Sequence, residues 1–340
     1  MDKETLLFKK HKSGALQCLT CQRTCLLNDG QWGYCKTRIN KNGKIYSTIY
    51  GSISSVFPDP IEKKPVFHFK PNSRIMSFGT LGCNFRCKFC QNWDISYATG
   101  QDLRKAQEIM PDKAVEMTKK LKCEGIAWTY NEPSIWLEYT LDTAKLAKKE
   151  NIYTCYVTNG FATKEHIDAI APYLDIYRVD LKSFDKKFYK ELINVVKFEG
   201  VYENTKYVKD KYPEIHIECV TNVIPSWNDS EENLKKIAEW IVKNLGKKTP
   251  WHVSRFHPDA QLLDVPETPL ETLSRAKEIG QEAGLEFVYI GNAPAIEDGE
   301  NTYCPKCKKL VIERSFYSTK IISMKNGKCG FCEEELNIRV

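Results

Sequence analysis

Residues 74–92 read RIMSFGTLGCNFRCKFCQN, a short apolar stretch that runs directly into three closely spaced cysteines. Arg74–Gly79 has the content expected of a buried strand. Cys83, Cys87 and Cys90 then follow on a loop, with the spacing C-x3-C-x2-C. Three thiolates can hold three irons of a 4Fe–4S cluster, which leaves one iron open, whereas a ferredoxin-type site uses four. Zinc held by three thiolates and a water is the alternative for the same donor set.

Alternating strand and helix patterns follow this loop. Further strands are predicted at Ile126–Thr129, Ile152–Thr158, Ile176–Leu181, Ile215–Thr221, His252–Phe256 and Glu286–Ile290. Helices are predicted from Pro111, over Ser230–Leu245 with Asp229 as N-cap, and over Thr268–Ala283. This alternation predicts an α/β fold with a parallel sheet, best described as a partial (β/α)6 barrel. Polar residues at the carboxyl ends of the strands are the candidates for function.

The composition of the chain restricts the classes of protein to which it can belong. The 340 residues are 42% hydrophobic with a net charge of +6, which suits a globular protein and is too weak alone to indicate nucleic-acid binding. No apolar run reaches the ~18 residues of a membrane helix, and the first residues do not resemble a signal peptide. We therefore expect no membrane association and a cytoplasmic location, where thiols stay reduced. Fourteen cysteines then indicate metal binding rather than disulfides.

Eleven of the fourteen cysteines form three groups. They are the N-terminal cysteines (Cys18, Cys21, Cys25 and Cys35), the loop cysteines (Cys83, Cys87 and Cys90) and the ribbon cysteines (Cys304, Cys307, Cys329 and Cys332). The other three, Cys123, Cys155 and Cys219, are expected to be core residues. The groups suggest a cysteine-rich region at residues 1–71, a barrel at 72–295 and a small module at 296–340.

The two outer groups have different spacings. The ribbon cysteines form two C-x2-C pairs, which is typical of a structural zinc ribbon, with a single rubredoxin-like iron as the alternative. The N-terminal cysteines have the spacing C-x2-C-x3-C-x9-C, which suits zinc or a second iron–sulfur cluster, and we favour zinc.

The predicted ribbon is also basic. Seven basic residues face the single acid Glu313 between Cys304 and Cys332: Lys306, Lys308, Lys309, Arg314, Lys320, Lys325 and Lys328. This excess of +6 equals the net charge of the whole chain. The patch could bind an acidic protein partner or nucleic acid, or it could simply be a solvated surface.

The loop motif, with Phe89 before its third cysteine, resembles that of radical S-adenosylmethionine (SAM) enzymes. The chain as a whole resembles the pyruvate formate-lyase activating group, and most of all the radical SAM enzyme of the AmmeMemoRadiSam system. The similarity includes the N-terminal segment that ends in Gly33-Tyr34-Cys35. It implies a radical SAM barrel that carries a 4Fe–4S cluster on the loop cysteines.

The resemblance also implies which residues contact SAM. They are Phe89, Gln91, Tyr130, Asn131, Glu132, Asn159, Asp180, Lys182 and His257, with Asp180 and Lys182 also as catalytic candidates. Tyr130-Asn131-Glu132 stands where many members carry Gly-Gly-Glu. Simpler interpretations are a helix start at Asn131-Glu132, a turn at Asn159, a structural Asp180–Lys182 ion pair and a structural His257.

The implied reaction is reductive cleavage of SAM to methionine and a 5′-deoxyadenosyl radical, which removes hydrogen from a C–H bond. A one-electron reductant such as ferredoxin or flavodoxin is the implied partner. An activase-like reaction on a glycine of a protein partner is the leading hypothesis. RNA or a small metabolite is the alternative substrate, and a non-enzymatic metal-binding nucleic-acid module is a remote one.

Overall fold

The computed structural model describes residues 1–98, 102, 106–315 and 317–340. The chain forms two compact units. The first contains Met1–Asp59, Arg74–Tyr177 and Leu192–Ile215, and the second contains Pro60–Ser73, Arg178–Glu191 and His216–Val340. In the described residues no helix combines the length and the apolarity needed to cross a bilayer.

The N-terminal part of the chain, most of it in the first unit, is made of short strands. They are β1 (Lys3–Glu4), β2 (Phe8–Lys10), β3 (Leu16–Cys18), β4 (Leu26–Leu27), β5 (Arg38–Lys41), β6 (Lys44–Ser47), β7 (Ser52–Ile53) and β8 (Ser55–Pro60). They pair in the orders β2-β3-β4 and β1-β6-β5. Arg38 on β5 donates to the carboxylate of Glu138 at 2.7 Å, and both side chains are buried.

The rest of the first unit alternates strands with helices. The strands are β9 (Arg74–Gly79), β10 (Gln107–Glu108), β11 (Gly125–Trp128) and β12 (Tyr153–Thr158), and the helices are α1 (Trp93–Ser96), α2 (Pro111–Lys120), α3 (Leu137–Lys149) and α4 (Lys164–Ile170). Strands β9, β11 and β12 pair in parallel in that order. Short 3-10 helices occupy Pro133–Trp136 and Ala171–Tyr173 in this unit and Ile61–Lys63 in the second unit. Trp136 stacks on Tyr139 at 4.2 Å within the core of the first unit.

The chain continues through β13 (Ile176–Asp180), α5 (Lys186–Phe188), a π-helical turn (Tyr189–Ile193) and α6 (Glu199–Lys211). The second unit then contains β14 (His216–Val223), α7 (Glu231–Leu245), β15 (Trp251–Arg255), α8 (Leu270–Glu282) and β16 (Val288–Gly291). Strands β14, β15 and β16 are parallel and adjacent in that order. Both units therefore confirm the predicted α/β alternation with parallel strands.

The C-terminal segment consists of short strands. They are β17 (Thr302–Tyr303), β18 (Leu310–Ser315), β19 (Ser318–Ile321), β20 (Met324–Lys325) and β21 (Lys328–Cys329). All seven long strands predicted from the sequence are present, but two helix starts differ. Ser230, not Asp229, caps α7 by accepting from Asn233 N–H at 3.3 Å. Helix α8 begins after Pro269, two residues later than predicted, because Thr268 instead donates its hydroxyl to Val223 C=O.

Candidate active site and metal centres

The loop cysteines follow β9 directly, in the first unit. Gly82 opens the loop with φ +83°, a conformation that favours glycine. A Cβ atom at Gly82 would lie 2.4 Å from Thr37 Cγ2 and 2.7 Å from the carbonyl oxygen of Cys35. The loop therefore packs tightly against the segment that carries the last N-terminal cysteine, and only glycine fits at this contact.

Asn131 holds the start of this loop. Its Oδ1 accepts from the backbone N–H of Thr80 at 3.2 Å, and its Nδ2 donates to the carbonyl of Gly82 at 2.7 Å. Tyr130 has φ +71°, and its ring lies so close to Gly79 that a Cβ there would be 2.9 Å away. The residues after β11 thus act as a clamp on the loop.

Glu132 lies buried behind this clamp. Its carboxylate accepts from the Thr158 hydroxyl at 2.8 Å, from Asn159 N–H at 2.7 Å and from Ser134 N–H at 2.9 Å. Burial raises the pKa of Glu132 above its usual value, although these donors counteract part of that effect. The carboxylate therefore joins the end of β11 to the end of β12.

Asn159 extends the same network to the cysteines. Its Nδ2 donates to Asn84 Oδ1 at 2.8 Å, and Asn84 directly follows Cys83. Asn131 and Asn159 thus contact the loop directly, and Glu132 supports it through Asn159. Asn84 was not predicted as a site residue, although its place inside the motif could have indicated it.

Two arginines, also missed by sequence reasoning, donate hydrogen bonds to backbone carbonyls of the loop. Arg86 donates to the carbonyl of Cys83 at 2.8 Å and to that of Phe85 at 2.9 Å. Arg23 donates to the carbonyl of Asn84 at 2.7 Å, and its guanidinium lies 3.5 Å from the ring centre of Tyr34. Arg23 lies between two of the N-terminal cysteines in sequence, and this position could have indicated that it belongs to the site.

The three loop thiols are close enough to influence one another. The pKa of Cys83 is raised well above its usual value, mainly by burial, then by the charge of Glu132 and by Cys87 and Cys90. A thiolate as buried as that of Cys83, beside two half-buried thiols, needs a positively charged centre to remain ionised. The donor set therefore fits a cationic metal cluster. Phe89 is buried between these cysteines, whereas Gln91 is exposed.

The remaining SAM candidates lie in the second unit. Asp180, at the end of β13, accepts from Lys182 Nζ at 2.9 Å and also pairs with Arg178. Burial opposes ionisation of Asp180, but the two cations outweigh it and lower its pKa. His257 follows β15 and is exposed. The predicted Asp180–Lys182 ion pair is therefore present.

The ribbon cysteines form a compact four-sulfur centre in the second unit. Cys304 Sγ lies 3.5 Å from Cys332 Sγ, and Cys307 Sγ lies 3.7 Å from Cys329 Sγ. Four thiolates at ~2.3 Å from one tetrahedral ion would be ~3.8 Å apart. The ribbon cysteines thus have the arrangement of a single-ion metal site, which fits the predicted zinc-ribbon-like module.

The ribbon is less basic at its surface than the sequence suggested. Arg314 is buried, donates to Thr302 Oγ1 at 2.7 Å and lies 4.2 Å from the ring centre of Phe67. Lys328 pairs with Glu335 at 2.8 Å. Three consecutive glutamates, 333–335, follow the last ribbon cysteine and were left out of the predicted charge. These features weaken the basis for a nucleic-acid partner.

Comparison with known proteins places this site in a family. Residues 78–241 match the model of the radical SAM superfamily. An uncharacterized protein of Methanocaldococcus jannaschii is 38% identical over 338 residues, 99% of each chain. Pyruvate formate-lyase 1-activating enzyme of Escherichia coli is 24% identical over 233 residues, covering 64% of this chain and 93% of that enzyme.

A solved structure supports the same fold. A radical SAM methyltransferase from Sphaerobacter thermophilus superimposes with a TM-score of 0.52 at 15% identity, over 65% of this chain and 67% of that one. The region that matches the family model, residues 78–241, begins at the end of β9 and includes the loop cysteines and the parallel strands β11 and β12. The three-cysteine loop after β9, held by the residues that end β11 and β12, therefore lies in a radical SAM domain.

Proposed function

We propose that this protein abstracts a hydrogen atom from a C–H bond of a protein partner, in the manner of a glycyl-radical-enzyme activase. The observation that carries the proposal is the loop of three cysteines held by a dedicated polar network. The similarity to pyruvate formate-lyase 1-activating enzyme supports the choice of a protein substrate. The AmmeMemoRadiSam-type assignment remains part of this proposal.

The loop cysteines would hold three irons of a 4Fe–4S cluster. The bound cluster and SAM supply the one-electron chemistry that generates a 5′-deoxyadenosyl radical. Asn131 and Asn84 keep the loop in place, and burial of Phe89 excludes water beside the cysteines. A ferredoxin- or flavodoxin-type reductant would deliver the electron, and we propose a cytoplasmic location.

We assign candidate residues of the cysteine loop and of the strand ends to contact with SAM. They are Phe89, Gln91, Tyr130, Asn131, Glu132, Asn159, Asp180, Lys182 and His257. Several of them already have partners, so their role is to shape the site as much as to bind. The Asp180–Lys182 pair presents both signs of charge, which suits an amino acid group such as that of SAM.

We also propose zinc at the ribbon cysteines. The sulfur–sulfur distances of 3.5 and 3.7 Å fit one tetrahedral ion. The N–H of Cys307 also points at Cys304 Sγ at 3.5 Å, as expected around a thiolate ligand. A segment this small needs such a site, because it has little apolar core of its own.

The test is SAM cleavage by the anaerobically reconstituted protein with dithionite as reductant. We expect 5′-deoxyadenosine from the wild type and none after all three loop cysteines are changed to alanine. The Cys123→Ala variant is the matched control, because this thiol lies outside the three groups. Undiminished cleavage by the triple variant would contradict the proposal. Transfer of deuterium from a labelled candidate protein into 5′-deoxyadenosine then tests the substrate class.

A further inference from the structure

We propose that the N-terminal cysteines hold an iron–sulfur cluster, a second one in addition to that assigned to the loop cysteines. All four residues lie in the first unit, where a pair of short hairpins brings them together. The inference concerns a separate set of ligands, so it does not depend on the proposed reaction.

Backbone hydrogen bonds explain how four cysteines converge. Cys18 ends β3, and its N–H donates to the carbonyl of Cys25 at 2.9 Å. Thr24 N–H donates to the carbonyl of Cys21 at 3.0 Å, which forms the turn between them. The N–H of Tyr34 donates to Cys25 Sγ at 3.5 Å and so brings in the segment of Cys35. The fold therefore directs all four thiols to one place.

The sulfur atoms already have the polar neighbours that ligand thiolates use. Thr37 donates its hydroxyl to Cys35 Sγ at 3.2 Å, and Thr20 Oγ1 lies 3.5 Å from Cys18 Sγ. Such hydrogen bonds to sulfur are among the protein's means of tuning an iron–sulfur cluster. These contacts favour the use of the four thiols as metal ligands.

The spacing of the sulfurs distinguishes a cluster from a single ion. In the described part of the chain, the ribbon cysteines are the one group of three or more potential metal ligands whose ligand atoms all lie within 4.8 Å of one another. Among any three of the N-terminal thiols, at least one pair is therefore more than 4.8 Å apart, which is wider than the ~3.8 Å that four thiolates on one zinc require. The loop cysteines, which belong to a cluster-binding motif, are spread in the same way.

An extended cluster holds its thiolates around several irons, so it accommodates this wider spacing. The structure thus contains an internal comparison, with one compact group that fits a single ion and two wider groups that fit clusters. We accordingly revise the expectation of zinc at the N-terminal cysteines in favour of iron and sulfide.

The second cluster would also stabilise the surroundings of the first. Arg23, which lies between Cys21 and Cys25, donates to the carbonyl of Asn84 in the cysteine loop at 2.7 Å. The carbonyl of Cys35 lies against Gly82 at the start of that loop. A metal group that fixes the N-terminal segment therefore fixes one wall of the loop.

The test begins with the variant in which the loop cysteines are alanine. This change leaves the N-terminal ligands intact, and the protein is purified anaerobically and reconstituted with iron and sulfide. We expect about two to four irons per chain to remain, with matching sulfide, since four cysteines bind either a two-iron or a four-iron cluster. Mössbauer spectra should show cluster iron, and zinc should amount to one ion from the ribbon.

A second variant, Cys21→Ala with Cys25→Ala, removes two N-terminal ligands in the otherwise intact chain. We expect it to lose the same number of irons that the first variant retains, while Cys123→Ala loses none. A first variant that contains two zinc ions and no cluster iron would overturn the inference. The iron lost on changing the loop cysteines tests the proposed function, whereas the iron that remains tests the second cluster, so the two results can be told apart.

Discussion

At the scale of single residues, Glu132 shows how one side chain can serve several others. Its two carboxylate oxygens accept from Ser134, Thr158 and Asn159, and Asn159 in turn contacts Asn84 in the cysteine loop. A buried carboxylate without such donors would be costly. Glu132 is therefore required because its carboxylate accepts these three hydrogen bonds, in addition to any contact with SAM.

We expect Glu132→Gln to destabilise the first unit by about 2 kcal/mol, because the new amide places a donor against donors and leaves a buried group unpaired. The loop should then bind its cluster less completely. Urea denaturation of the apoprotein and iron content after reconstitution measure the two effects. Glu165→Gln, on the exposed surface of α4, is the control. Unchanged stability and iron content would show that the network does not support the loop.

At the scale of elements, the ribbon depends on its metal. Its own buried residues are few, and they pack in one cluster with Phe67, Phe287 and Tyr289 of the same unit: Val311, Ile312, Leu336, Ile338 and the thiols of Cys304 and Cys329. Metal binding is then a large part of the folding free energy of the segment.

The variant Cys304→Ser with Cys307→Ser should therefore lose one zinc per chain and become sensitive to protease between residues 304 and 340. Metal analysis and limited proteolysis with mapping of the cleavage sites measure this result. Cys123→Ser should behave as wild type. A doubly substituted ribbon that still resists protease would show that its packing suffices without metal.

The elements were largely predictable from the sequence where local patterns determine them. The seven long strands and α2, which begins at Pro111, follow from apolar runs and from proline at a helix start. The short paired strands at the N-terminus could not be predicted from local patterns, because Lys3 pairs with Ser47, which is far away in sequence. The contact of Arg23 with Asn84 could not be predicted for the same reason, although the cysteine groups that contain these residues were evident in the sequence.

At the scale of the whole molecule, each unit buries an ionic centre. In the second unit, Glu218 accepts from His216 at 2.9 Å, from His252 at 2.7 Å and from the N–H of His68 at 2.7 Å. Burial opposes the charge on Glu218, but its donors lower the pKa well below the usual value. In the first unit, the buried ionic centre is the ion pair between Arg38 and Glu138. Charged and neutral buried groups together make stability depend on pH.

The first unit offers a clean test of this dependence in His166. Burial lowers the pKa of His166 from 6.5 to about 3, and the charge of Arg38 contributes to the same effect. Below pH 6.5 the imidazole of His166 is therefore protonated in the unfolded chain but stays neutral in the folded chain. The folded protein consequently loses stability as the pH falls from 6.5 towards 3. The slope for one such group is about 1.4 kcal/mol per pH unit.

We expect the wild type to lose about 2 kcal/mol through this residue between pH 6.5 and 5, and His166→Phe to lack that loss because its ring cannot take up a proton. The measurement is the difference in unfolding free energy between variant and wild type as a function of pH, in which the titration of all shared groups cancels. His11→Gln, at a surface position where the side chain contacts Ser13, should leave the wild-type slope unchanged. Parallel pH profiles of the unfolding free energy for His166→Phe and the wild type would contradict this expectation. They would mean that His166 is protonated in the folded protein as readily as in the unfolded chain.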